Sequence, residues 1–256
     1  KLRQTSGNWT DRIGGDGMDC HISPDNSNVM YASWQFGNFY RSTNGSDFSA
    51  MDVPDGGTGG WITPLAIDPS NTQNVYIGYN RIQKSTNQGE TWTTVSEEIN
   101  AEHNLTYLAV APSNGNILYT GAPWIPVYRS DDGGVTWTKF THWHGGTEYP
   151  EIHADHHYVA SHPKQKQDLY FCNDGGVHKY DENTDKWTEL VNGLAITQFY
   201  KMAVSNSTPA VLIGGSQDNG GYIRRANGNW GNTNGGDAMW QLIDPTNPNI
   251  GYTEYW

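Results

Sequence analysis

The chain has 256 residues, a formal net charge of −12 and only 15 Lys and Arg, a balance that leaves no basic stripe for phosphates and argues against nucleic acid or anionic membranes as partners. Hydrophobic residues make up only 35% of the chain, but 11 Trp, 15 Tyr and 6 Phe each bury a large area, so a core is within reach. Thirty Gly and twelve Pro exclude long helices and punctuate many short strands, and no apolar run approaches the ~18 residues of a membrane span.

In chain order, Leu2-Arg3-Gln4-Thr5-Ser6-Gly7-Asn8-Trp9 comes first and matches Ile223-Arg224-Arg225-Ala226-Asn227-Gly228-Asn229-Trp230. It therefore reads as the two outer strands of a repeated unit. A tyrosine then follows a proline by seven residues five times, at Pro24/Tyr31, Pro69/Tyr76, Pro112/Tyr119, Pro163/Tyr170 and Pro245/Tyr252. The prolines are 45, 43, 51 and 82 residues apart, and the long step hides one unit in which Asn206 and Ile213 take the marker places. Fixed periods of about 40 to 50 residues signify a propeller or a solenoid.

The third unit shows the elements. Leu105–Val110 and Asn116–Thr120 read as strands around the turn after Pro112, a Pro123-Trp124-Ile125-Pro126 loop follows, and Val127–Ser130 and Val135–Thr138 complete four strands. Four strands per unit make one propeller blade. From Asp237 onwards the chain carries two inner strands that complement the outer pair at its start. The expectation is an all-β propeller over residues 1–256 as a single domain, with five whole four-stranded blades and a sixth split between the termini, or else an excerpt of a larger propeller. The lack of an initiator Met and the ending within a strand suggest a processed product or a piece of something longer. Cys20 and Cys172 lie three units apart and read as isolated thiols.

In a propeller, the loops entering the first strand and those joining the second to the third share one end. They carry Gly14–Gly17, Gly56–Trp61, His142–His157 and Gly235–Asp237, together with Trp34-Gln35-Phe36, Tyr79-Asn80-Arg81, Pro123-Trp124, Asn173–Gly176, Gln217–Gly220 and Glu254–Trp256. Aromatics among amides and carboxylates suit a polysaccharide, because sugar rings stack on indoles while hydroxyls take polar contacts. Trp34, Trp124, Gln217, Asn219 and Tyr255 are the candidate ligand residues. Glycoside cleavage needs two carboxylates across the bond, for which Asp174, Asp155 and Asp218 are the candidates, with Asp16 and Asp237 beside them. His153, Asp155 and His157 alternate, so a strand would turn all three to one side, and a divalent metal is the one cofactor the sequence suggests. His142 and His144 precede them.

The sequences Ser130-Asp131-Asp132-Gly133-Gly134-Val135-Thr136-Trp137 and Ser85-Thr86-Asn87-Gln88-Gly89-Glu90-Thr91-Trp92 resemble the Asp-box of sialidase-like, BNR-repeat propellers. In that superfamily the carboxylate or amide closes the hairpin turn and the Trp packs between blades. Ile152–His157, Asn173–Val177, Gly193–Tyr200 and Gly214–Gly220 resemble secreted bacterial glycosyl hydrolase-like and sortilin-type repeat proteins. The resemblance implies secretion or surface display, with carbohydrate or another extracellular protein as partner. It makes a binding module the leading expectation, with a glycoside hydrolase or a structural part of an extracellular assembly as the alternatives. Sialidase chemistry is disfavoured, since the seven arginines fall mostly on outer strands. The xyloglucan-cleaving relatives place an acid in a loop like Asn173-Asp174-Gly175-Gly176, whereas the matching loop of the first blade, Trp34–Gly37, has none.

Overall fold

The computed structural model describes residues 2–3, 7, 9–54, 59–142 and 150–255. Among these, every regular element except a single 3-10 turn at Gln35–Gly37 is a β-strand. They fall into two compact units, Lys1–Asn173 with Val177–Leu190, and Asp174–Gly176 with Val191–Trp256. The first holds the hairpin β1 (Leu2–Arg3) and β2 (Trp9–Thr10) and four antiparallel blades. Blade 1 is β3 (Gly17–Ile22), β4 (Met30–Trp34), β5 (Asn38–Ser42) and β6 (Ser49–Ala50). Blade 2 is β7 (Leu65–Ile67), β8 (Val75–Gly78), β9 (Ile82–Ser85) and β10 (Thr93–Thr94). Blade 3 is β11 (Tyr107–Val110), β12 (Leu118–Gly121), β13 (Tyr128–Ser130) and β14 (Thr138–Lys139). Blade 4 is β15 (Tyr158–Ser161), β16 (Asp168–Asn173), β17 (Gly176–Asp181) and β18 (Lys186–Glu189). The second unit holds blade 5, made of β19 (Phe199–Val204), β20 (Leu212–Ser216), β21 (Gly221–Arg224) and β22 (Trp230–Asn234), and the hairpin β23 (Gln241–Ile243) and β24 (Gly251–Thr253).

The Pro/Tyr markers mark the second strand of each blade. Tyr31, Tyr76 and Tyr119 are fully buried, and so is Ile213, which replaces tyrosine in the fifth blade. Tyr170 is only half-buried, and its neighbours Leu169 and Phe171 fill the core instead. In the first unit the core lies between successive blades. Trp92 packs with Val29, Tyr31 and Phe39 of the blade before it, and Trp137 packs against the cluster of Ala66, Tyr76 and Ile82. Trp187 does the same against Tyr119 and Phe140. Cys20 and Cys172 are free thiols.

Two turns are closed as their sequences demand. Asp132 Oδ1 accepts the N–H groups of Val135 (3.1 Å) and Thr136 (2.9 Å), and Oδ2 accepts the Thr136 hydroxyl at 2.6 Å. The Trp137 indole N–H donates to Gly134 O at 3.0 Å. In blade 2 the N–H of Thr91 reaches Asn87 Oδ1 (2.9 Å), and Trp92 donates to Gly89 O at 3.2 Å. These bonds occupy residues 135–137, which is why the fourth strand of blade 3 starts at Thr138 rather than at Val135. Burial tends to raise the Asp132 carboxyl, but the bonds from Thr136, Ser130 and Val135 outweigh it and hold it at about 2. Asp132→Ala strips these acceptors from an exposed turn and is expected to cost about 1 kcal/mol in urea unfolding.

Candidate functional site

In the first unit, the loops at the entering end of blades 1 to 3 expose aromatic rings. Phe36 has a left-handed φ of 63° between β4 and β5, followed by Gly37 at 74°, where a Cβ would lie 2.5 Å from the Tyr79 ring. Tyr79 donates its hydroxyl to Gly37 O at 2.9 Å and so fixes the turn from beneath. The Phe36 ring meets Trp61 edge to face, with centroids 5.3 Å apart and planes at 85°, yet Phe36 is 49% and Trp61 54% exposed. Trp124, on the corresponding loop of blade 3, has φ 64° and is 61% exposed. Trp34 is placed differently. Its indole is half-buried, edge-on to Tyr40 at 5.4 Å, and roofed by Gly15, where a Cβ would come within 2.5 Å of it.

The segment 152–157 is not the strand its alternation predicts, since β15 begins only at Tyr158 and Asp155 has a left-handed φ of 56°. The alternation survives as burial: Ile152, Ala154 and His156 point inward between His153, Asp155 and His157. Hydrogen bonds pin the segment, with the Thr106 hydroxyl donating to His156 O (3.1 Å) and His157 N–H to Cys172 O (2.9 Å). Asp155 Oδ1 accepts the N–H of Trp124 at 3.1 Å. The ligand atoms of His153, Asp155 and His157 do not gather within 4.8 Å of one another, so these three form no ready metal set. His144 and residues 55–58 of the second entering loop lie outside the described residues, as does Trp256.

His156, which sequence reading passed over, is the most constrained of these groups. It is 1% exposed, sits against the rings of Tyr107 (5.9 Å) and Phe171 (6.3 Å), and leaves Nδ1 without a partner. Burial first, and then the neighbouring His178, His153 and His157, drive its pKa down to about 3. Burial also lowers His178, whose Nδ1 faces the Asn173 amide at 3.4 Å.

The second unit gathers the carboxylates. Asp174 and Asp218 bring carboxylate oxygens within 4.8 Å of each other. Asp218, with φ 58° at the tip of the β20–β21 hairpin, donates its N–H to Asp237 Oδ1 at 2.7 Å. The Asn219 side-chain amide is spent on the carbonyls of Asp174 (3.0 Å) and Gln217 (3.1 Å), while Gln217 donates its own N–H to Gln198 O. Gly220 is irreplaceable here, since its φ is 78° and a Cβ would lie 2.3 Å from Asn234 O. Desolvation, followed by the charges of Asp237 and Asp218, pushes the Tyr200 phenol up. Tyr255 stands 67% exposed beyond β24.

No protein-family profile matches the chain. A xyloglucanase of Hypocrea jecorina (strain QM6a) is 29% identical over 138 residues, which cover 45% of this chain and 16% of that protein. Among solved structures, the Niastella koreensis GH74 enzyme superposes with a TM-score of 0.56 at 19% identity over 91% of this chain and 43% of its own. The Xanthomonas campestris GH74 xyloglucanase gives 0.54 at 15% identity, with 91% and 43% covered. An ancestral GH74 enzyme gives 0.55 at 18%, with 91% and 33% covered. The chain thus spans less than half the length of each relative. At these identities the likeness speaks for architecture alone, and with the five four-stranded meanders it makes the chain an all-β propeller structure.

Proposed function

We propose that the chain is a carbohydrate-binding propeller module that works outside the cell. The observation that carries this reading is the exposed, orthogonal Phe36–Trp61 pair at the same end of the first unit as the exposed Trp124. Large apolar rings left in water at loop tips are costly unless something covers them, and backbone in the left-handed region at Phe36 and Trp124 is strain of the kind stored at binding sites. The faces of pyranose rings are apolar enough to cover an indole while their hydroxyls stay in water. Similarity to a protein named as a xyloglucanase supports a β-glucan with side branches as the first ligand to try.

The carboxylates of the second unit supply the alternative reading, a glycoside hydrolase. An inverting hydrolase holds its two carboxyl groups roughly 6.5–9.5 Å apart to admit a water, and a retaining one about 5–5.5 Å. Asp174 and Asp218, with oxygens within 4.8 Å of each other, are compatible with the closer of these two arrangements, so hydrolysis is the second reading and an assay separates the two. Incubation with xyloglucan is expected to retard the protein in an affinity gel without releasing reducing sugar. Release of reducing ends that disappears in Asp174→Asn would overturn the binding-only reading in favour of hydrolysis.

A further inference from the structure

We infer that Asp155 is a positioning residue that sets the Trp124 indole as a stacking surface, rather than an acid that touches the ligand. This rests on the carbohydrate reading above. The loop Pro123-Trp124-Ile125-Pro126 contains two prolines, so only Trp124 and Ile125 carry backbone donors. Ile125 N–H goes to Ala122 O at 3.4 Å, and Trp124 N–H goes to Asp155 Oδ1 at 3.1 Å. Both donors of the loop are accounted for, and the carboxylate alone fixes the one at Trp124.

The rest of the loop is stiff without it. Pro123 locks its own φ, and Pro126 biases Ile125 towards extended backbone. Ile125 and Val127 are buried and anchor the loop base. Trp124 itself, at φ 64°, is 61% exposed, has no aromatic ring packed on it among the described residues, and is tied down by its backbone N–H. On the other side of the bond, Asp155 is flanked by the buried pegs Ala154 and His156, and its φ of 56° is one that aspartate tolerates better than most residues. Two left-handed non-glycine residues therefore face each other across one charge-assisted bond. Glycine would relieve the strain at either place, and the sequence keeps an indole and a carboxylate instead.

The test uses Asp155→Ala, Asp155→Asn and Trp124→Gly, with backbone amide exchange across 122–126 and affinity for a xyloglucan oligosaccharide as separate readouts. Asp155→Ala is expected to speed exchange at Trp124 by about tenfold and to weaken the oligosaccharide about fivefold to tenfold through lost preorganisation. Asp155→Asn, which keeps an oxygen acceptor, is expected to rescue both. Trp124→Gly is expected to fold normally, because φ 64° suits glycine, and to lose affinity at least as much as Asp155→Ala. Unchanged exchange in Asp155→Ala overturns the clamp. Restored exchange with unrestored affinity in Asp155→Asn overturns the positioning role, since the charge then acts on the ligand directly. If the unmodified protein binds no oligosaccharide while exchange still responds as described, the clamp stands and the carbohydrate reading falls.

Discussion

Acidification from pH 7 to pH 4 is expected to remove up to about 3 kcal/mol of stability from the folded chain through His156 alone. The folded-state pKa of about 3 lies below the 6.5 of an ordinary histidine, so between those values the unfolded chain binds a proton that the folded chain refuses. Stability therefore falls as pH drops below 6.5 and levels off only near 3. Burial is the main cause: a cationic imidazole would stand between the Tyr107 and Phe171 rings with an Nδ1 that has no acceptor. His178, lowered by its own burial, acts in the same direction. Urea unfolding at pH 7, 6, 5 and 4 reads the slope, and the difference between the native chain and His156→Gln isolates the one imidazole. Equal slopes in the two proteins would refute the assignment.

Replacing both Phe36 and Trp61 by alanine is expected to weaken xyloglucan oligosaccharide binding by about 10- to 100-fold. Truncating a central aromatic anchor costs on the order of 1–2 kcal/mol or more, and each 1.4 kcal/mol is about tenfold. The single variants are expected to be more than additive in their shortfall, because each ring is the support of the other at 85°. Both rings are about half exposed, so their loss leaves folding almost untouched. Trp230→Ala is the control: that indole is as exposed as Trp61 but lies on the outer strand β22. Calorimetric titration decides the matter, and a loss of affinity in the control equal to that in the double variant would remove the platform.

How much of this could be read from the residues depends on what each residue needs from its neighbours. Blade architecture was legible because the proline stop, the buried second-strand tyrosine and the turn closed by Asp132 or Asn87 are all local demands. At 152–157 the period-two pattern grouped His153, Asp155 and His157 on one side but named the wrong element, since one left-handed residue, Asp155, breaks a strand without disturbing the alternation of burial, and it is Ile152, Ala154 and His156 that turn inward. Trp34 and Trp61 look alike in sequence, as aromatics in the connecting segments at one end of the blades. Only the approach of Gly15 over one and of Phe36 beside the other separates a packed indole from an exposed one. His156 escaped notice because the histidines on either side of it offered a more conspicuous pattern, and nothing short of the rings of Tyr107 and Phe171 distinguishes it.

The indoles of Trp92, Trp137 and Trp187 each lean on the blade before their own, which gives the first unit a direction. Loosening blade 1 withdraws the seat of Trp92, whereas loosening blade 4 leaves the seats of Trp92 and Trp137 intact and disturbs only Trp187, whose ring also meets Phe171 and Tyr180 of its own blade. Damage in these blades should thus spread from the amino-terminal side towards the carboxy-terminal side more readily than in reverse, and the tryptophan fluorescence of each blade should report on the health of its predecessor.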